Sequence, residues 1–527
     1  MVRSMITRGS LLVLLALGAA AAQTAETQEE VGGRSVLFGT TTIDGRQWER
    51  LSFRPEIPLG KAAVALDIEL FLDQQGAISS KGWEFGNSTE IMNTIYRKIY
   101  YIRYGMPGQP IYAKVGALDD VTLGYGFLMS HYRNTLSYPG IKNLGAQIEL
   151  NPLYGLNVQA VLNNFLDIST GGPLVGVRVA KPFGRFEVGG TIVYDFDQYG
   201  GLADSDGDGV PDGLDRFPRD RKFAADTDRD GIPDEKDRDA DGDGRIDVDF
   251  GGNVLSQVQR DSIDGIMRRA DLPPFEWDTY PTALERPFNK KSVGRDPFGM
   301  VGADIGFKLI DKPALKLITY GQLGMSLDDA DSSRATGWGI GAPGLWLVVG
   351  PLNGRIEYRH LRNEFMPEYF DNLYDHTRVV ANLDSGSVIT KDALLDSLEG
   401  QKLDGVFGDV TLALGNFARV TGRYQYLHGR RSQQQVYAVA ALGQSTLQMV
   451  PKLSRLEAFY GKRNIGLYGD SFFERTLDTT YGYDVGFALG GGVEVVWATR
   501  WLFEPVAADP ADVRARRQVT LETVVRF

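Results

Sequence analysis

The chain contains no cysteine and only four histidines. Without thiols there is no disulfide framework, no cysteine nucleophile and no thiolate-held metal. His131, His360, His376 and His428 fall into neither an HExxH pattern nor a paired metal spacing. No GxSxG or P-loop motif occurs either, so no catalytic signature is present and the protein is not expected to be an enzyme. His360 and His428 lie near expected strand ends, where an interfacial place suits them. A second long apolar run is also missing. Leu11 to Ala22 is apolar but short, and nothing after it approaches the ~20 residues that a membrane-crossing helix needs, which excludes a helical membrane protein. The formal net charge is −12, and no nucleic-acid partner is expected.

What is present at the two ends is specific. Arg3 and Arg8 precede the run Leu11 to Ala22, and Ala20, Ala21 and Ala22 are the small residues a signal peptidase requires. Residues 1–22 are expected to be a secretory signal, cut near Ala22/Gln23. About a dozen residues then precede the first candidate strand at Arg34, too few for the plug domain of a gated nutrient transporter. At the other end, Val519, Leu521, Thr523, Val525 and Phe527 alternate with Gln518, Thr520, Glu522, Val524 and Arg526, the period of a strand between two environments. A terminal aromatic on such a strand resembles the C-terminal signal of Gram-negative outer-membrane barrels. That resemblance implies recognition of Phe527 by the barrel assembly machinery and residence in outer-membrane lipid.

The same alternation recurs through the chain. Asp67 and Glu69 alternate with Leu66, Ile68 and Leu70; Arg355, Glu357 and Arg359 with Ile356 and Tyr358; Arg419, Thr421 and Arg423 with Ala418, Val420 and Tyr424. Charges spaced by two need water on that side, and apolar residues need lipid or a core on the other. Short turns recur at Pro58–Lys61, Met106–Pro110, Asn151–Tyr154, Lys181–Arg185, Asp311–Ala314, Gly350–Asn353 and Leu414–Phe417. Longer polar connections lie between them, as the tight turns and long outer loops of bacterial barrels require. The expected fold is all-β, a transmembrane antiparallel up-and-down barrel of about 18 strands, within a range of 16–20. Residues 23–196 form its first part and 299–527 its second. Arg50, Arg54, Glu69, Glu149, Arg178, Arg355, Glu357, Arg359, Arg419 and Arg423 are expected to line the lumen. Segment 119–143, with Leu123, Tyr125, Phe127, Leu128 and Met129, is too apolar for an outer loop and is expected to fold inward, against the alternative that it packs on the rim.

Residues 197–298 break the pattern and are expected to be an outward-facing insert. Between Asp197 and Asp249 there are 18 acidic and 8 basic residues, so this stretch carries almost all of the net charge. Its acids are periodic: Asp204, Asp206, Asp208 and Asp212 around Gly209; Asp226, Asp228, Asp230 and Asp234 around Gly231; Asp239, Asp241, Asp243 and Asp247 around Gly244. Carboxylates at the first, third and fifth places converge on one hard cation. Glycine in the sixth allows the sharp turn, and a later carboxylate can close the shell, a pattern that suits calcium. These motifs, over residues 204–248, resemble thrombospondin type-3 repeats, down to Val210-Pro211-Asp212 and Ile232-Pro233-Asp234. They depart from that family in having no cysteine. The resemblance implies that all twelve aspartates are candidate Ca2+ ligands and that metal alone holds the module. After Asp249 about 50 residues read as loop before strands resume at Gly299.

Two functions fit. One is a porin-like channel for passive diffusion of small hydrophilic solutes, with a calcium-stabilised surface loop and both charge signs in the lumen. The other is a barrel-anchored adhesion or assembly protein that binds a surface partner through the insert.

Overall fold

The computed structural model describes the chain from Arg34 to Arg526, apart from residues 44–45, 73–82, 84, 86–90, 92–93, 96, 137–141, 248, 251–252, 274, 279–285, 328–336, 383–386, 394, 396–399, 431, 467–468, 491–492 and 506–512. The proposed signal, residues 1–22, and Phe527 lie outside the described residues. One antiparallel sheet joins 21 strand segments, each paired with its neighbours in sequence. Two of them, Ala62–Leu66 and Ile68–Leu72, are separated only by Asp67 and pair with the same strand Arg46–Leu59, so they act as one. The described sheet therefore has twenty strands, at the upper limit of the expected range. The last strand, Val513–Arg526, pairs antiparallel with the first, Arg34–Ile43, through Val36↔Val525 and Gly39↔Glu522. The sheet closes on itself.

The twentieth-strand count exceeds the expected 18 because the last third of the chain alternates weakly. Gln433–Leu442 carries Ala438, Ala440 and Ala441, whose small side chains suit either face. Its turn to Leu453–Ile465 contains a short helix, Gln444–Leu447, rather than a glycine hairpin. Elsewhere the short turns fall where the sequence places them. Gly60, Gly155, Gly184, Gly350 and Gly415 have positive φ, which only glycine adopts at no steric cost.

The barrel is inverted relative to a soluble protein. On five of its strands Ile102, Ile305, Leu323, Ile356 and Val420 are exposed, while Arg103, Asp304, Gln322, Glu357 and Gln425 on those same strands are buried. An apolar outer surface and a polar inner wall suit acyl chains outside and water inside, and would be unstable the other way round. Among the described residues no helix is long and apolar enough to cross a membrane.

The hydrophobic core lies inside the barrel, where inward loops meet apolar wall residues such as Val193, Met300 and Leu427. Loops 117–144 and 363–401, both at the end carrying the long connections, turn inward. Leu123, Phe127, Leu128, Met129 and Tyr132 of the first meet Phe365, Met366, Tyr369, Phe370 and Tyr374 of the second in one buried cluster. Each large side chain so buried contributes roughly 1.5–3 kcal/mol, so these loops are fixed at rest. Residues 196–297 connect the adjacent strands Phe186–Asp195 and Phe298–Lys312 at that same end. The stretch after the acidic repeats is not all loop: Gln257–Arg269 is a helix with a capping box between Ser256 and Gln259.

Candidate functional site

The inner wall combines charges with counter-charges. Arg178 reaches Asp304 at 2.6 and 2.9 Å and Glu187 at 2.9 Å, joining three neighbouring strands. Glu357 accepts from Arg359 at 2.7 Å and from Gln322 at 2.5 Å. Arg355 is bonded to Asp409 and to the backbone oxygen of Tyr125. Glu69 is buried beside Lys142, and Glu149 accepts from Gln147 at 3.0 Å. Arg419 and Arg423 are half-buried on one face of Ala418–His428. Arg50 and Arg54 belong to Arg46–Leu59, and their side chains lie outside the described ones. Pairing each charge at wall level offsets the cost of desolvation when the loops cover it.

Loop 117–144 folds inward, as its apolar stretch predicts. Gly124 N donates to Gln159 at 3.1 Å, and the Tyr125 ring stacks on Tyr320 with centroids 4.3 Å apart. Loop 363–401 does the same, which the sequence reading missed. Its signal was Phe365, Met366, Tyr369, Phe370 and Tyr374 within ten residues, too apolar for a solvated loop. The two loops are tied together. Glu368 N donates to Phe127 O at 2.7 Å, the Phe127 and Phe365 rings lie 5.2 Å apart, and Tyr132 donates to Asp375 at 3.0 Å.

The inner loop is held to the wall chiefly through Glu368. Its Oε1 is 3.1 Å from Arg359 Nη2; its Oε2 accepts from Gln435 at 3.1 Å and Arg423 at 3.4 Å. Its backbone oxygen accepts from Arg463 at 2.9 Å. Arg463 also pairs with Asp371, and Lys391 lies 3.6 Å from that carboxylate. Glu368 itself adopts φ 56°, unusual for a residue with a side chain and sustained here by these contacts. Burial works to raise its carboxyl, yet Arg423, Arg359, Arg355 and Arg463 hold it well below the usual carboxylate range. It is therefore ionised across the physiological range.

Toward the short-turn end, beneath Tyr125, the lumen opens into a cavity of about 250 Å3. Asn157, Gln159, Arg178, Glu187, Lys308 and Trp346 line it. It is polar and of both charge signs.

In the acidic insert each repeat folds alike. Asp204, Asp226 and Asp239 accept from the amides of Gly209, Gly231 and Gly244 at 3.0, 3.1 and 2.9 Å. Those glycines have φ of 103°, 93° and 87°. The turn brings Asp204, Asp206 and Asp208 together, with one carboxylate oxygen of each lying within 4.8 Å of the others; Asp226, Asp228 and Asp230 converge likewise, as do Asp239, Asp241 and Asp243. Asp212, Asp234 and Asp247 are outside these triads. They brace the loop by accepting from the amides of Ser205, Thr227 and Ala240 at 2.6, 2.7 and 2.8 Å. Asp206 Oδ2, Asp226 Oδ1 and Asp239 Oδ1 are buried without a hydrogen-bond partner, which fits a cation as their missing neighbour.

No protein-family model matches the chain, and no curated protein matches it. Solved structures do. The siderophore receptor PirA from Acinetobacter baumannii is 9% identical over 94% of this chain and 80% of its own, with a TM-score of 0.33. Pseudomonas aeruginosa OpdL is 9% identical over 94% of this chain and 98% of its own, with a TM-score of 0.28. Pseudomonas aeruginosa OccK11 (OpdR) is 11% identical over 94% and 96%, with a TM-score of 0.29.

Proposed function

We propose that this protein is a porin-like channel of the bacterial outer membrane, through which small hydrophilic solutes diffuse. The observation that carries this reading is the polar, charged inner wall of a closed barrel whose outer surface is apolar. The two inward loops set how wide the path is, and the cavity beneath Tyr125 is the water-filled half of it. The reading includes export by residues 1–22, recognition of Phe527 by the barrel assembly machinery, and no enzymatic role. Purified protein in planar bilayers is expected to give discrete single-channel steps, enlarged when residues 119–136 are deleted. Bilayers that stay silent with both forms would refute it.

The insert is read as a calcium-stabilised outer loop. One ion per triad would be held by Asp204, Asp206 and Asp208, by Asp226, Asp228 and Asp230, and by Asp239, Asp241 and Asp243, with Asp212, Asp234 and Asp247 supporting the loop around it. Bound calcium supplies charge neutralisation among carboxylates that otherwise repel one another.

A second reading, adhesion or assembly through the insert, is favoured by one observation. The helix Gln257–Arg269 buries no residue and leaves Val258 and Ile266 exposed, with Leu272 beyond it. Liposome swelling unchanged on deleting 197–298, with surface binding lost, would select that reading.

A further inference from the structure

The cradle around Glu368 is a built anion site occupied by the protein's own side chain. Arg359, Arg423 and Gln435 come from the wall and their donors converge on the one carboxylate that loop 363–401 places there, while Gln425 accepts from Arg359 and Arg463 donates to the backbone oxygen of Glu368. For Arg423 the paired carboxylate is Glu368 alone among the described ion pairs. Three cationic side chains keep some exposed surface, with side-chain exposures of 11% for Arg355, 12% for Arg423 and 12% for Arg463. Arg355 adjoins the cavity, since it also bonds the backbone of Tyr125, which lines it.

We propose that Glu368 is an internal ligand, and that a solute carboxylate takes its place on Arg359, Arg423 and Gln435 and so frees loop 363–401. A carboxylate suits these donors because guanidinium groups bind planar two-oxygen anions with directional hydrogen bonds, which chloride cannot match. Exchange of one carboxylate for another leaves the charge of the cradle unchanged, so the wall arginines are never left buried without an anion. Release is aided by the unusual φ of Glu368, which relaxes once its contacts are gone. The solute class assigned to the channel is thus small organic mono- and dicarboxylates. This inference rests on the channel reading for what the site serves, not for the site itself.

The test uses the full-length protein, whose lack of cysteine makes single-cysteine labelling unambiguous. Met366→Cys, or Leu395→Cys as a second position, places a thiol among the buried loop residues; heat-modifiable gel migration confirms folding of each. A membrane-impermeant maleimide is applied in sodium chloride and in sodium succinate of equal ionic strength, and bilayer currents are recorded in the same two salts. The expected result is labelling several-fold faster in succinate, labelling equally fast in both salts after Glu368→Gln, and loss of the succinate effect after Arg423→Gln. Labelling that responds while bilayers stay silent would uphold the anion site and overturn the channel. Currents that flow while labelling ignores both succinate and Glu368→Gln would overturn the internal-ligand proposal and leave the channel standing.

Discussion

Phe365 occupies the space that a side chain at Gly324 would need: a Cβ at Gly324 would lie 2.7 Å from Cζ of Phe365 and 2.9 Å from Cδ2 of Leu128. Gly339, on the adjacent strand, gives the same ring room at 2.6 Å. The wall is hollowed where the two loops press on it. Gly324→Leu is therefore expected to expel Phe365, destabilising the packed loop by about 1–3 kcal/mol while the barrel stays folded. Single-channel conductance should rise. Unchanged conductance in a folded variant would show that the loops do not limit the path.

Arg178 and Asp304 belong to different strands and join through two hydrogen bonds, with side-chain exposure of 6% each. Removing one partner leaves the other charge buried. Arg178→Met should lower stability by about 3 kcal/mol, and adding Asp304→Leu should restore most of it. Urea unfolding in lipid vesicles measures both. Equal loss in single and double variants would mean that the guanidinium acts through packing alone.

The carboxyl of Asp375, inside loop 363–401, is pushed up to about 6 by burial, with Arg378 and the Tyr132 hydroxyl opposing and Asp167 and Asp195 adding to the rise. A raised carboxyl contributes stability at low pH that is lost as pH climbs through about 6. Glu368 is held low, so it stays ionised over that interval. The loop should therefore be tighter at pH 5 than at pH 7.5. Cysteine labelling at position 366, normalised at each pH to the rate at an exposed cysteine, should be slower at pH 5, and Asp375→Asn should flatten the difference. Faster normalised labelling at pH 5 would contradict this assignment.

The three aspartate triads predict calcium binding with a stoichiometry of three. Asp226→Asn with Asp228→Asn should reduce it to two in isothermal titration. Calcium should also slow tryptic cleavage at Arg229, which lies exposed between Asp228 and Asp230. Heat-silent titration with unchanged cleavage would remove metal from the account.

The sequence made the barrel legible wherever charged and apolar residues took turns, as in Leu352–Arg362, and wherever glycine marked a hairpin, as at Gly184 and Gly350. It also located the acidic repeats, and it marked Leu123 to Met129 as unusually apolar while leaving an inward fold and packing on the rim both open. It did not reveal that loop 363–401 fills the lumen, because the residues it meets, such as Phe127 and Gly324, are far away in the chain. Glu368 was missed for the same reason: one acid in a loop says nothing until Arg359, Arg423 and Gln435 are brought round it by three strands. The helix Gln257–Arg269 was missed although Ser256 and Gln259 form a capping box, since its apolar residues are few among many charged ones. The second role of Asp212, Asp234 and Asp247, bracing rather than converging, depends on backbone amides that no spacing pattern displays.

The central claim is that the strands present apolar residues to lipid and polar residues to a wet interior. Single cysteines along Ala418–His428, each carrying a fluorophore in lipid vesicles, test it most directly. Positions 420, 424 and 426 should be quenched by a lipid-soluble quencher, and positions 419, 421 and 423 by a water-soluble one, alternating without exception. Quenching by the water-soluble reagent at all six positions, or by the lipid-soluble reagent at 419 and 423, would contradict it.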